Sequence, residues 1–381
     1  MRKIILASTV PVSLSLFFRG LLRELSDEYE VAALSSPEPE LEEVARREGV
    51  RSFGISMRRG IAPIHDLAAL FRILSLFRRE RPQMVHSITP KAGLLSMMAA
   101  RIAGVPVRVH TFTGLMFPSS RGFRRRLLMT TDRITCRCAT HVIAEGEGVR
   151  GDLLKYGITR KNVRVLGYGN LRGVDMEYYS RTAEVAERAS ALRASLGISD
   201  GGFVFVYAGR VVRDKGIDEL AEAFCRLRSE GADVHLLLAG CMESGDPVSP
   251  RTEEIIASNE AIRFTARWMD DVRPWYAAAD ALVFPSHREG FPNAVLEAGA
   301  MELPSIVTDI NGSREIIRDG ETGIVIAAGD AEALYEAMKR MAGNRGRAAA
   351  MGIEARKAVA ERWEQSFVRA KLKEFYREIS I

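Results

Sequence analysis

Two carboxylates, Glu289 and Glu297, stand with seven residues between them in the stretch SHREGFPNAVLEAGAMELP. A Gly290-Phe291-Pro292 turn follows the first, and the second falls in an otherwise apolar helical stretch. Paired carboxylates can divide acid and base work in hydrolysis. They can also act as separate acceptors that grip hydroxyls at the two ends of one elongated ligand. Upstream, AGRVVRDKGID places Gly209, Arg210 and Lys215 between an apolar run and a helical one. A forked guanidinium, an ammonium and a helix N-terminus within a few residues suit a diphosphate. The alternative is an exposed loop that simply carries cations. Pro292 suits the first position of the helix that holds Glu297, with N–H groups near Phe291, Asn293 and Ala294 available to a phosphate or a sugar hydroxyl.

These groups need elements to hold them. KIILAS, YEVAALS, MVHSI, VRVHTF and THVIAEG read as buried parallel strands. LFFRGLLRELSD, ELEEVARREG, IHDLAALFRILSLFRRER and AGLLSMMAARIAG read as the helices between them. FVFVYAGR opens a second series that continues with VHLLLAG, IRFTAR, ALVFPS, PSIVTD and GIVIA. Alternation of this kind predicts α/β folding with two doubly wound sheets facing each other across a cleft. The expected boundaries are 1–170 and 171–363, with a terminal amphipathic helix over 364–381 packing back on the first domain. Ligands of such sheets bind beyond the carboxyl ends of the strands. STVPVSLS, after the first strand, lacks the glycine fingerprint of a dinucleotide-binding fold.

At 381 residues, 47% apolar and 27% charged, the chain reads as globular with two cores. Its four cysteines have no zinc-site spacing and point to a reducing, cytoplasmic setting. The start superficially resembles a leader, but MRKIILAST reads equally well as a first buried strand, and Arg19 interrupts the apolar run. No apolar run reaches the length of a membrane span. The net charge of +5 is uneven: residues 1–168 carry 27 Lys+Arg against 15 Asp+Glu, and the remainder 27 against 34. A basic half joined to an acidic half expects an anionic partner.

With these residues in view, the sequence resembles the retaining glycosyltransferases of family 4 (group 1), which have the GT-B fold of two facing Rossmann-like domains. The resemblance rests on GVD at 173–175, AGR…DKG at 208–216 and the block ADALVFPSHREGFPNAVLEAGAMELPSIVTDINGSREIIRDGETGIVI at 279–326. It implies that the second domain binds a nucleotide sugar, UDP-linked by family weight. Arg210 and Lys215 would hold the diphosphate and neutralise the leaving group beside Gly209. Glu289 would bind sugar hydroxyls, Gly290, Phe291, Pro292 and Asn293 would line sugar and phosphate, and Glu297 would hold the ribose. No metal or other cofactor is expected, since fixed cations can stabilise the departing diphosphate.

In the first domain the sequence departs from the family pattern. Relatives carry a glycine-rich loop after the first strand and a histidine after the strand corresponding to VRVHTF; here Thr113 takes the histidine's place. His110 falls within the strand, where a packing role competes with a sugar contact. His86, Thr89 and Lys91, at another strand end, are candidates for the acceptor or sugar side or for helix capping, and Thr9 is a further candidate for the acceptor or sugar side.

The wording around these residues is similar to bacterial hexosyltransferases of capsule and surface-polysaccharide assembly, which add a hexose or N-acetylhexosamine to a polyprenyl-diphosphate-linked glycan. SSRGFRRRLLMTTDRITCRC adds a basic amphipathic segment. Its Arg121, Arg124, Arg125, Arg126 and Arg133 could meet anionic lipid or the acceptor diphosphate, with Phe123, Leu127, Leu128 and Ile134 on one face. The enzyme is therefore expected to lie peripherally on the inner face of the plasma membrane. Nucleic acid is a weaker fit, because no aromatics interleave the cations. The rival readings are a nucleotide-sugar epimerase of the same architecture and a non-catalytic carbohydrate-binding scaffold.

Overall fold

The structure, a computed structural model, describes residues 1–58, 60–199 and 201–379. Two compact units emerge: Met1–Gly173 together with the segment from Ser366 onward, and Val174–Gln365.

The first unit holds strands β1 (Arg2–Ala7), β2 (Tyr29–Ser35), β3 (Arg51–Gly54), β4 (Met84–Ile88), β5 (Val107–Phe112), β6 (His141–Ala144) and β7 (Val163–Arg164). Its helices are α1 (Pro11–Phe18), α2 (Leu21–Leu25), α3 (Pro39–Glu48), α4 (Pro63–Glu80), α5 (Pro90–Ile102), α6 (Gly122–Cys138) and α7 (Glu147–Lys155). Among the described residues the strands form one parallel sheet in the order β3-β2-β1-β4-β5-β6-β7. Alternate residues of β1 serve opposite faces. Ile5 and Ala7 join the core beneath α4, α5 and α6, whereas Ile4 and Leu6 join the one beneath α1, α2 and α3.

The segment expected as one helix over LFFRGLLRELSD is broken: Gly20, at φ 75°, separates α1 from α2. A left-handed residue there ends one helix and starts the next at little steric cost. The edge strands β3 and β7 are short, and neither was expected from its residues. Of the cysteines, Cys136 and Cys138 are buried, Cys225 and Cys241 half-buried, and all four are free thiols.

The second unit carries α8 (Ala183–Ser195), β8 (Phe203–Ala208), α9 (Ile217–Ser229), β9 (Val234–Ala239), α10 (Pro250–Ser258), β10 (Ile262–Phe264) and α11 (Arg273–Ala278). It continues with β11 (Ala281–Phe284), α12 (Asn293–Ala300), β12 (Ser305–Thr308), α13 (Ser313–Ile316), β13 (Gly323–Ile326), α14 (Ala331–Ala342) and α15 (Arg345–Trp363). Its parallel sheet runs β10-β9-β8-β11-β12-β13 among the described residues. Every residue of β8, β11 and β12 is buried, as a sheet covered on both faces requires.

The last helix, α16 (Gln365–Ile379), lies against the first unit. Phe375 and Tyr376 enter its core, each burial contributing about 2 kcal/mol. Arg369 pairs with Glu24 at 2.6 Å and Arg164 with Glu378 at 2.6 Å. Among the described residues no helix is long and apolar enough to cross a membrane.

Candidate functional site

In each sheet the strand order reverses once, between β1 and β4 in the first unit and between β8 and β11 in the second. Loops diverge at such a switch point and leave room for a ligand beyond the strand ends.

At the second unit's switch point, β8 ends in Gly209 and Arg210, a 3₁₀ turn over Arg213–Lys215 follows, and Gly216 opens α9. Gly216 sits at φ 71°, and a Cβ there would stand 2.1 Å from the Pro285 carbonyl oxygen. Only glycine lets this turn press against the end of β11. The Tyr207 hydroxyl donates to the Arg210 carbonyl at 2.7 Å. Arg210 Nη1 pairs with Glu243 Oε2 at 2.9 Å, and the Lys215 ammonium contacts the Glu289 carboxylate. Two of the expected cations and one of the expected carboxylates thus share one loop cluster, with Lys215 and Glu289 largely screened from solvent.

That cluster is tied together from behind. Arg288 Nη2 pairs with Asp214 Oδ2 at 2.9 Å, and the Asp214 N–H donates to Asp246 Oδ2 at 2.8 Å. The His287 N–H reaches the Asp214 carbonyl at 2.9 Å, and its Nε2 lies 2.8 Å from Glu219. The Glu219 contact pushes the His287 imidazole above its ordinary value, outweighing partial burial; the same bond draws the Glu219 carboxyl down.

Pro292 occupies the N-cap of α12 rather than its first turn, so the helix begins at Asn293, one residue later than its sequence indicated. Its φ of −74° and ψ of 109° are extended, which carries the Gly290–Pro292 backbone past Gly312. The Phe291 ring is buried and packs 5.8 Å from Trp363, leaving its backbone as the part near the loop cluster. Glu297 is 9% exposed and receives the Tyr276 hydroxyl on Oε2 at 3.2 Å.

In the first unit the structure brings Thr9 and Thr89 together at the switch point. Their hydroxyls lie 2.8 Å apart, and the Ala92 N–H donates to Thr9 Oγ1 at 3.2 Å, so Thr9 caps α5 from another segment. Thr89 holds φ 68°, which is rare for a β-branched residue. Lys91 pairs with Asp66 and donates to the Gly60 carbonyl at 2.8 Å. Thr113 lies half-buried just past β5.

His86, placed at a strand end by its sequence, is instead inside the core. Its Nδ1 lies 2.5 Å from the Tyr376 hydroxyl and its Nε2 2.8 Å from Thr111 Oγ1. His110 is equally buried: Nδ1 meets Ser87 Oγ at 2.9 Å, and Gly93 leaves room for the ring, since a Cβ there would stand 2.3 Å from it. Burial pushes both imidazoles down to about 3.

In the basic segment, Arg121, Arg124 and Arg126 are exposed. Arg125 instead lies over the Tyr156 ring, 5.3 Å from its centroid, and Arg133 donates to the Gly157 carbonyl at 3.2 Å. Leu127 is half-buried, and Leu128 and Ile134 pack against the core.

Residues the sequence did not single out include Glu243, Asp214, Asp246, Arg288 and Tyr276. For Asp214, Glu243 and Asp246 the usable signal was position: CMESGD follows β9 and RDK follows β8, both at carboxyl ends, whereas Tyr276 lies within α11. Trp268, exposed beyond β10, and Glu145, buried beyond β6, share that property.

Residues 202–344 match the family described as glycosyl transferases group 1, and residues 15–169 match the glycosyl transferase 4-like domain. The capsular polysaccharide biosynthesis glycosyltransferase CapM of Staphylococcus aureus is 31% identical, over 84% of this chain and 83% of its own length. The chain belongs to the group 1 glycosyltransferases. A second relative of this transferase is the UDP-Gal:alpha-D-GlcNAc-diphosphoundecaprenol alpha-1,3-galactosyltransferase of Escherichia coli. It is 27% identical over 77% of this chain and 75% of its own. Among solved structures, Anabaena HepE in complex with UDP superposes with a TM-score of 0.81 at 17% identity, covering 99% of the transferase and all of HepE. At that identity the likeness carries the GT-B fold.

Proposed function

We propose that the protein is a retaining transferase that moves a hexose or N-acetylhexosamine from a UDP-sugar to a polyprenyl-diphosphate-linked glycan in capsule or surface-polysaccharide assembly. The observation that carries this reading is the gathering of Arg210, Lys215 and Glu289 at the second unit's switch point, with the carboxylate of Glu297 held by Tyr276. UDP is favoured because HepE was crystallised with it and the Escherichia coli relative uses UDP-Gal. A lipid-linked acceptor is favoured by that relative's diphosphoundecaprenol substrate.

In this reading the donor diphosphate lies on Arg210 and Lys215. Arg210 exchanges Glu243 for phosphate oxygens, and Lys215 shares its charge between Glu289 and the diphosphate. Glu289 accepts from sugar hydroxyls, the Gly290–Asn293 backbone lines sugar and phosphate, and Glu297 accepts from the ribose. The bond between the anomeric carbon and the diphosphate oxygen breaks, the acceptor hydroxyl oxygen forms the new bond with the anomeric configuration kept, and the hydroxyl proton passes to the departing diphosphate. Arg210 and Lys215 stabilise the charge left on the nucleotide without a metal. Thr9, Thr89, Lys91 and Thr113 serve the acceptor side, and the enzyme works at the inner face of the plasma membrane.

Incubation with a panel of UDP-, GDP- and ADP-sugars tests this. Release of nucleoside diphosphate supports the reading; an altered sugar without release means an epimerase, and the absence of both means a scaffold. Glu289→Ala should slow donor turnover by about 100-fold. Turnover as fast as in the unsubstituted enzyme would remove Glu289 from its assigned place.

A further inference from the structure

The outer face of α4 is apolar where a surface helix should be polar. Ile64 is 89% exposed and Phe71 61%, with Leu67 between them and Ile61 just before the helix, also exposed. Positions 64, 67 and 71 follow the i, i+3, i+7 spacing of one helical stripe. The opposite side of α4, with Ala69, Ile73, Leu76 and Phe77, already fills the core. The stripe is therefore surplus to folding, and exposed apolar patches of this kind mark interaction sites.

Charge identifies the partner. Residues 58–138 contain 15 Lys+Arg against 3 Asp+Glu, a net of +12, whereas residues 1–57 contain 7 against 9. The basic surplus of the first unit thus falls on the stretch that builds α4, α5 and α6, which pack side by side. In a parallel sheet, helices return antiparallel to the strands, so all three begin near the carboxyl edge. The first turn of α6 there presents Phe123, 80% exposed, with Arg121, Arg124 and Arg126. Lys91, bonded to the Gly60 carbonyl and to Asp66, anchors the start of α4 beside Thr9 and Thr89.

We propose that the outer stripe of α4 and the start of α6 form one membrane-docking face. Ile64, Leu67, Phe71 and Phe123 enter the interfacial layer of an anionic phospholipid bilayer while the arginines meet headgroup phosphates. A lipid-linked acceptor would then arrive at the edge carrying Thr9, Thr89 and Lys91, a consequence that rests on the function proposed above. A second copy of the chain fits less well, because a two-fold interface would set this positive layer against itself.

Sedimentation of the whole chain with vesicles tests the proposal. The unsubstituted protein should bind phosphatidylcholine–phosphatidylglycerol vesicles, less so with added salt, and bind pure phosphatidylcholine weakly. An Ile64→Asp, Phe71→Asp double substitution should lower that binding by about 100-fold or more. Arg121→Ala, Arg124→Ala and Arg126→Ala together should lower it by a similar factor on anionic vesicles alone. Nucleotide release from a donor sugar in the absence of lipid should be unchanged in both variants. Vesicle binding that survives the Asp substitutions overturns the proposal. So does a chain that ignores vesicles but sediments as a dimer which those substitutions dissociate. Vesicle binding with the expected losses, in a protein that turns over no nucleotide sugar, sinks the proposed reaction and supports the docking face.

Discussion

Gly312 offers a way to move the proposed sugar-lining backbone without touching any charged group. It stands at φ 77°, and a Cβ there would lie 2.6 Å from the Gly290 carbonyl oxygen and 2.7 Å from both Phe291 Cα and Pro292 Cδ. Ordinary contact begins near 3.4 Å, so in Gly312→Ala the 290–292 segment must retreat by about 0.8 Å. The left-handed backbone adds about 1–2 kcal/mol for alanine, and crowding in a packed site typically about 1–3 kcal/mol. The sum, roughly 2–5 kcal/mol, corresponds to a lower melting midpoint for the second unit by on the order of 10 °C. Displacement on the ångström scale typically costs about 100-fold in rate, so kcat/KM for donor turnover should fall at least about tenfold at a temperature where the variant remains folded. Circular dichroism checks folding, and coupled detection of nucleoside diphosphate reads the rate. A folded variant with kcat/KM within about twofold of the unsubstituted enzyme would show that 290–292 does not line the reacting sugar.

Tyr376→Phe removes the hydroxyl facing the buried His86 Nδ1 and leaves that nitrogen without its partner. The first unit should lose about 1–3 kcal/mol, read by denaturant titration, with donor binding to the second unit unaffected. The His287–Glu219 contact makes the second unit pH-sensitive in a stated direction. His287 has a raised folded value, so its stabilisation is present below its unfolded value and lost as pH rises through the raised one. Glu219 has a lowered value, so its share is lost as pH falls through that lowered value. Thermal melts across pH should show this alkaline decline, and His287→Asn should abolish it. The first unit should weaken on the acid side, because between about 6.5 and about 3 the unfolded chain takes up protons that buried His86 and His110 exclude.

Both sheets were legible because their central strands are uninterrupted apolar runs, such as KIILA and FVFVYA, that only a doubly covered parallel sheet accommodates. The edge strands RSFG and VR were not, being short and partly polar, with pairing on one side alone. Gly20 was visible in the sequence, yet its splitting of α1 from α2 depends on packing that spacing does not encode. In the candidate site, Arg210, Lys215 and Glu289 stood out through the turn and helix-start chemistry around them. Glu243, Asp214 and Asp246 did not, since irregular loops carry no periodicity and their pairings span distant parts of the chain. His86 and His110 show the converse. A sugar contact was open for both, against packing for His110 and helix capping for His86, and tertiary partners from α16 and β4 engaged the rings.

The assignment of separate grips along one donor is tested most directly by calorimetric titration of UDP and of the matching UDP-sugar into four proteins: unsubstituted, Lys215→Met, Glu297→Gln and Glu289→Ala. Losing a charge-assisted contact should raise the Kd for UDP by about 10- to 100-fold in Lys215→Met and Glu297→Gln. In Glu289→Ala the Lys215 ammonium is released from its partner, so UDP should bind as tightly or more tightly while the added affinity from the sugar disappears. Equal UDP affinity in all four proteins would contradict the account.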